Sequence, residues 1–201
     1  MAIFSKRLVE HVLKWEGAAI TNDPDDKGGL TNKGVTYALY NLLAKEVLNV
    51  TPSEAHFRSL TKDDVVKFIY WYWKKIKGDK WKNQLAAEQM CDWHWGSFQA
   101  VMKTRRALFQ HFNLALKTNV SYISDDLVNM VNKLPATKLN EVIYEARIAH
   151  YYSISPEGHT NRKFLKGWIN RANDQYKKKN SNIGQTVDSV EPYTFSNSKK
   201  Q

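Results

Sequence analysis

The chain has 201 residues, of which 42% are hydrophobic and 25% are charged, an ordinary composition for a globular protein. This composition excludes a wholly disordered chain, a collagen-like chain and a disulfide-rich scaffold, and no apolar run approaches the length of a transmembrane helix. Thirty Lys and Arg residues against twenty Asp and Glu give a net charge of +10. That surplus favours a polyanionic partner (nucleic acid, an anionic membrane face or an anionic cell-wall polymer), although a merely well-solvated surface would look the same.

Apolar residues recur at spacings of three and four along most of the chain, which is typical of amphipathic helices. The first helix is expected over residues 5–16, and Gly17 suits its end. A loop rich in Asn, Asp, Pro, Gly and Thr follows over 21–33, and any strands there are short, in a small hairpin over 20–35. Further helices are expected at 37–48, 61–76, 86–98, 108–116, 124–134, 139–150 and 161–176.

The single cysteine and the two ends of the chain support three further predictions. Cys91 is the only cysteine, which excludes an intrachain disulfide and predicts a buried, inert thiol. Residues 1–13 lack the long apolar stretch of a secretory signal, so we expect a protein made in the cytoplasm that reaches any outside target by another export route. Residues 179–201 are polar and end in Lys-Lys, and they predict a flexible tail.

Glu16 is the first candidate for chemistry. It follows Val12 by four residues and therefore shares the apolar face of the first helix. Poor solvation disfavours the charged form of a carboxyl group, and a general acid near neutral pH needs that environment. The alternative is an ordinary surface glutamate at a helix end.

The acidic loop after this helix supplies possible partners for Glu16. Asp23, Asp25 and Asp26 lie close together, and Thr31 follows them. A loop of this kind can fold back so that one aspartate activates a water while Glu16 protonates a leaving oxygen, as in glycoside hydrolysis. Its spacing departs from the calcium-binding EF-hand pattern, so we expect no metal and no other cofactor.

These residues also resemble a known family. From residue 16 the chain reads Glu-Gly, and from residue 22 it reads NDPDDKGGLTNKGVT, which resembles the EGG…NDPxDxGGxTxxGIT signature of the glycoside hydrolase family 108 N-acetylmuramidases, the lysozyme-like secretion activators. Residues 92–97 (DWHWGS) are similar to the D-x-x-x-N-S-G segment of that family. Residues 145–147 and 164–171 are similar to its C-terminal "predicted peptidoglycan domain". The resemblance spans about residues 5–174, with Ala18 in place of the second glycine.

The resemblance implies a mainly α, lysozyme-like fold in which two helical lobes surround a cleft, with a small β-hairpin after the first helix. It implies a catalytic region over 1–85 and a helical peptidoglycan-binding region over 86–178 packed on it as one compact unit. The implied activity is that of a lysozyme (EC 3.2.1.17), which cleaves the MurNAc–GlcNAc bond of peptidoglycan and is antimicrobial.

Glu16 carries over from the family as the catalytic acid. Phage-type lysozymes space their triad as Glu, eight residues, Asp, five residues, Thr, and Glu16, Asp25 and Thr31 fit that spacing. The family motif instead selects Asp26, so both aspartates stay candidates for the second carboxylate. Thr31 is expected to help hold the attacking water.

Four further residues are candidates for contact with the polysaccharide: Asp92, His94, Trp95 and Trp168. Each has a structural alternative, such as a buried Asp92–His94 pair or a Trp168 that locks the last helix. Peptidoglycan is the expected partner of a monomer. Nucleic acid is not expected, because no zinc, homeodomain, RRM or KH pattern occurs. A non-catalytic wall-binding relative and a lytic transglycosylase are the main alternatives.

Overall fold

The computed structural model describes residues 1–17, 19–22, 28–180 and 190–195. This part of the chain is mainly helical with a small antiparallel sheet, which confirms the predicted fold class. The helices are α1 (Lys6–Trp15), α2 (Tyr37–Val47), α3 (Glu54–Arg58), α4 (Lys62–Lys75), α5 (Gln84–Gly96), α6 (Ala100–Phe112), α7 (Asp125–Val131), α8 (Ala136–Ile154) and α9 (Arg162–Asn180), with a 3₁₀ turn at Gly78–Lys80. The strands are β1 (Ile20–Thr21), β2 (Thr31–Asn32) and β3 (Val35–Thr36).

The chain divides into two compact units. One, here called the hairpin unit, comprises residues 5–71 and 191–201, and the other, the helical unit, comprises 1–4 and 72–190. The division falls inside α4. Residue patterns mark breaks between elements, so a boundary within a continuous helix leaves no such signal. None of the helices in the described ranges is both long and apolar enough to cross a bilayer.

The helices of the hairpin unit begin at side-chain caps. Ser5 Oγ accepts the Leu8 N–H at 3.0 Å, and Thr36 Oγ1 accepts the Leu39 N–H at 3.1 Å. At α4, Thr61 Oγ1 accepts the Asp64 N–H while Asp64 Oδ2 accepts the Thr61 N–H, which is a reciprocal capping box. Each bond satisfies an amide that has no partner within its helix, so these residues fix where the helices start.

The end of the chain differs from the predicted flexible tail at residues 190–195. The Lys6 N–H donates to the Glu191 carbonyl at 3.0 Å, and Ser5 forms an antiparallel bridge with Pro192. The Phe195 ring meets Tyr70 edge-on at 5.4 Å between centroids. Residues 191–195 are therefore packed within the hairpin unit, at the start of α1, where Glu191 satisfies one of the free amides of that helix. Residues 181–189 and 196–201 of the predicted tail lie outside the described residues.

In the helical unit, α8 packs against α5, α6 and α9. Trp73, Trp81 and Trp93 are fully buried in its core, and Cys91 is buried as predicted. The Trp81 Nε1–H donates to the Ile76 carbonyl at 2.9 Å, so the large ring is buried with its polar atom satisfied.

Candidate active site

Glu16 lies at the point where α1 ends. Its N–H still donates to the Val12 carbonyl at 3.1 Å, but its own backbone is extended, with φ −89° and ψ 128°. The helix therefore stops one residue earlier than predicted, and the change of direction occurs at Glu16 rather than at Gly17. The side chain is half-buried, which places its carboxyl at the edge of the hairpin unit.

The hairpin formed by β2 and β3 turns through two residues with left-handed backbone. Asn32 pairs with Val35 across the turn, and Lys33 (φ 49°) and Gly34 (φ 81°) lie between them. Positive φ at both central residues is the signature of a type I′ turn, which matches the twist of the flanking strands. Glycine adopts this backbone without the steric cost that a side chain incurs, so Gly34 permits the turn.

Gly34 also makes room for the Glu16 side chain. A Cβ placed on Gly34 would lie 2.7 Å from Glu16 Cγ and closer still to Cδ and Oε2. A real Cβ cannot approach other heavy atoms so closely, so the glutamate can reach this position only because residue 34 is glycine. The turn backbone and the end of α1 thus hold the carboxyl group between them.

The hairpin is anchored to the end of α3. The Asn32 side-chain amide, which is fully buried, donates to the Phe57 carbonyl at 2.6 Å and to the Arg58 carbonyl at 3.3 Å. Lys33 Nζ donates to the Leu60 carbonyl at 2.9 Å. Asn32 thus binds carbonyls at the end of α3 and Lys33 binds one just beyond it, so these two side chains fix the hairpin against this segment.

Thr31 belongs to the same hairpin as Gly34. It is half-buried, and its hydroxyl donates to the Gly29 carbonyl at 3.0 Å. Donation uses the hydroxyl hydrogen, so Thr31 Oγ1 faces any incoming group as an acceptor. Asp25 and Asp26, the two candidates for the second carboxylate, lie outside the described residues together with Asp23.

Asp92 occupies the centre of a buried ion cluster in the helical unit. Its Oδ2 lies 2.8 Å from Arg147 Nη2, and its Oδ1 accepts from Arg171 Nε at 3.0 Å and Nη2 at 2.7 Å. The side chain has no solvent exposure. The predicted substrate contact of Asp92 is therefore corrected, since a sealed carboxylate between two guanidinium groups cannot touch a polysaccharide. The alternative pairing with His94 does not form either, because the arginines of α8 and α9 take both oxygens.

His94 and Trp95 meet the same aromatic ring at the end of α5. Tyr72 contacts His94 edge-on at 5.2 Å and Trp95 at 5.4 Å between centroids. Burial lowers the pKa of His94, an effect that its contact with the Ser97 carbonyl partly offsets. A neutral imidazole is therefore expected near neutral pH. Phe98, which sequence analysis did not select, stacks edge-on with His94 and is 69% exposed.

Trp168 packs inside the helical unit. Its ring lies 5.5 Å from Tyr151 and 5.8 Å from Phe164 between centroids, and it is half-buried. The Tyr151 hydroxyl accepts from Arg147 Nε at 2.6 Å, which links this aromatic group to the Asp92 cluster. These contacts match the structural alternative for Trp168, in which it locks the last helix.

Sequence reasoning missed several partners that the fold brings together. Gly34 was recognised only as part of a motif, and the anchoring roles of Asn32 and Lys33 left no local signal. The same is true of the two arginines on Asp92, which come from distant helices. Across the described ranges, His, Cys, Asp and Glu side chains form no group of three suited to a metal ion.

Comparison with known proteins finds one family model and one solved structure that are similar to this chain. The family model described as Glycosyl hydrolase 108 matches residues 9–97, a segment that includes Glu16, the hairpin and Asp92. The solved structure described as "Structure of Brucella abortus SagA" has a similar fold, with a TM-score of 0.69 over 90% of this chain and 96% of that chain, at 23% sequence identity. No curated protein sequence matches this chain. Residues 9–97 are therefore similar to the glycosyl hydrolase 108 family, and the chain shares the fold of the SagA structure.

Proposed function

We propose that the protein is an N-acetylmuramidase that hydrolyses the bond between N-acetylmuramic acid and N-acetylglucosamine in peptidoglycan, with Glu16 as the general acid. The observation that carries this proposal is the position of the Glu16 side chain, which is half-buried and fills the space that a Cβ on Gly34 would need. A carboxyl that is partly shielded from water suits proton transfer to a substrate that binds within hydrogen-bond reach of it.

The proposed reaction needs two groups besides Glu16. Glu16 donates its proton to the glycosidic oxygen as the bond to the sugar carbon breaks. A water molecule, deprotonated by Asp25 or Asp26, attacks that carbon, so the second carboxyl receives the proton that the water loses. Thr31 Oγ1 accepts a hydrogen bond from this water. A separation of about 6.5–9.5 Å between the two carboxyl groups leaves space for the water and inverts the configuration.

The experiment is product analysis after digestion of defined peptidoglycan. The wild type should release fragments with reducing N-acetylmuramic acid ends, and Glu16→Gln should release none while retaining its fold. Glu10→Gln is the matched control, since Glu10 is an exposed glutamate on the same helix, and it should cleave like the wild type. A fully active Glu16→Gln variant would overturn the assignment.

The same experiment separates the alternatives. A lytic transglycosylase requires the acid but not the second carboxylate, because the sugar's own hydroxyl replaces water, and it leaves 1,6-anhydro ends. A non-catalytic wall-binding relative would bind sacculi and release no fragments.

The net charge supports the proposed partner. A surface with a charge of +10 attracts the carboxylates and phosphates of cell walls. Because screening acts over about 10 Å at 0.1 M salt, binding of the protein to purified sacculi should weaken as salt is added. We further propose that the protein acts as a monomer and reaches the cell wall after export. Sedimentation of the purified protein and fractionation of the producing cells test these two points.

A further inference from the structure

A groove of about 450 Å³ lies in the helical unit, at α6, α7 and the loop between them. Its volume falls within the range of roughly 300–1,000 Å³ that is usual for sites of small ligands. The proposed reaction makes no use of this groove, whose lining comes entirely from residues 105–133.

The wall of the groove contains a buried cation. Arg105 is only 3% exposed, and its guanidinium donates to the Tyr122 carbonyl at 2.8 Å, to the Lys117 carbonyl at 3.2 Å and to Ser124 Oγ at 3.3 Å. All of these acceptors are neutral. Hydrogen bonds to neutral oxygens satisfy the N–H groups but leave the charge itself without a counter-ion, and a buried charge in that condition is costly. Burial accordingly lowers the pKa of Arg105.

The rim adds further positive charge. Lys117 and Lys133 are exposed and line the groove, while Asp126 is the single carboxylate among the lining residues. Charges of one sign in a concave site reinforce one another and attract a ligand of the opposite sign. An anion bound here would also supply the counter-charge that Arg105 lacks.

The remaining lining favours an organic anion over a bare one. Part of the wall is apolar, and Asn129 offers a side-chain amide that can both donate and accept. The apolar residues are Ala115, Leu116, Val120 and Met130. A simple ion would leave this surface uncovered, whereas a peptide would place its small side chains there and its amides against the asparagine.

We propose that this groove binds a short peptide with free carboxylates, held by Lys117, Lys133 and the field of Arg105. The stem peptides of peptidoglycan have this chemistry, and their identification as the occupant rests on the proposed function. With a stem peptide as the occupant, the helical unit binds the peptide part of the wall, and the hairpin unit carries the acid that cleaves the glycan.

The test is calorimetric titration of the full chain with the soluble stem tetrapeptide L-Ala-D-γ-Glu-meso-diaminopimelate-D-Ala. This probe contains no glycosidic bond, so binding is independent of Glu16. We expect saturable binding by the wild type and at least tenfold weaker binding by the double variant Lys117→Glu with Lys133→Glu. The matched control reverses Lys45 and Lys166 to Glu, two exposed lysines outside the groove, and should bind like the wild type.

Four results would overturn the proposal. These are the absence of binding by the wild type, unchanged binding by the Lys117→Glu, Lys133→Glu variant, an equal loss in the control pair, and equally tight binding of inorganic phosphate in a parallel titration. Cleavage of sacculi tests the glycosidase proposal separately, because a protein that binds the tetrapeptide without cleaving glycan contradicts only the muramidase proposal.

Discussion

The Glu16 side chain fills the space that a side chain on Gly34 would need. A Cβ on residue 34 would meet Glu16 Cγ at 2.7 Å, with Cδ and Oε2 nearer still. In the sequence, Glu16 precedes and Gly34 follows the acidic segment, so this contact joins the end of α1 to the hairpin turn. The carboxyl group proposed to donate the proton therefore depends on a glycine that has no chemistry of its own.

Gly34→Ala should abolish most of the activity. The added methyl group displaces the Glu16 carboxyl, and misplacement of a catalytic group by about 1 Å can reduce turnover on the order of a hundredfold. The positive φ of residue 34 adds a strain of about 1–2 kcal/mol for an L-residue. Turnover on purified sacculi and thermal unfolding measure the two effects separately.

Gly17→Ala is the control for this substitution. A Cβ on Gly17 would meet nothing within 4 Å, and its φ is not positive. This variant should keep the activity of the wild type. An active Gly34→Ala enzyme would show that the contact with Glu16 does not position the acid.

Asp92→Asn should destabilise the helical unit. It removes the carboxylate charge that Arg147 and Arg171 share, and the loss of one partner from a buried ion pair costs about 3–5 kcal/mol. Denaturant unfolding measures this loss. If the role is structural, the Michaelis constant of the remaining folded enzyme should equal that of the wild type. An increased Michaelis constant at unchanged stability would instead restore Asp92 as a substrate contact.

Acidification should weaken the fold through His150. Burial, assisted by the nearby charge of Lys103, lowers the pKa of His150 from 6.5 to about 4. Between these values the unfolded chain binds a proton that the folded chain does not, so the free energy of unfolding falls as the pH drops from 6.5 toward 4. The lowered pKa of His94 acts in the same direction.

His150→Gln tests this dependence. Glutamine does not titrate, so the variant should lose less stability between pH 7 and pH 5 than the wild type in thermal unfolding. His111→Gln, at an exposed position on α6, should retain the dependence of the wild type. An identical pH dependence in the wild type and His150→Gln would refute the role of His150.

Phe195→Ala should loosen the C-terminal segment from the start of α1. The Phe195 ring contacts Tyr70 at 5.4 Å and Tyr193 at 5.3 Å between centroids. Aromatic pairs contribute about 0.5–1.5 kcal/mol each, and the partial exposure of Phe195 places the expected loss at about 1 kcal/mol. Hydrogen exchange of the Lys6 amide, which bonds to Glu191, should accelerate. Unchanged protection of that amide would mean that the ring does not hold the segment.

Much of the fold could be read from local signals. The helix predicted at 37–48 is observed at Tyr37–Val47, and those predicted at 61–76 and 124–134 are observed at Lys62–Lys75 and Asp125–Val131. These signals succeed because a helix end is decided by which nearby side chain satisfies its free backbone groups. The short helix α3 was missed, since five residues are too few to establish an apolar period.

The candidate site residues also differ in whether local sequence signals or long-range contacts determine their placement. The placement of Glu16 at a helix end follows from the spacing of apolar residues before it, and the motif named Thr31. The assignment of Glu16 as the general acid and the choice between Asp25 and Asp26 as the second carboxylate stay predictions. Asp92 has contacts of the structural kind that the sequence left open, but its partners Arg147 and Arg171 left no local signal because they reach it from helices far along the chain.

By itself the sequence determined the helical class of the protein, the position of an acid at the end of its first helix, and the family signature around it. Only the tertiary structure decided which backbone that acid would meet, which arginines would neutralise Asp92, and where residues 191–195 would pack. The physical reason is the separation along the chain over which each kind of interaction acts. Periodicity and capping act within a few residues, whereas close contacts and buried charge pairs join segments whose meeting depends on the packing of the whole unit.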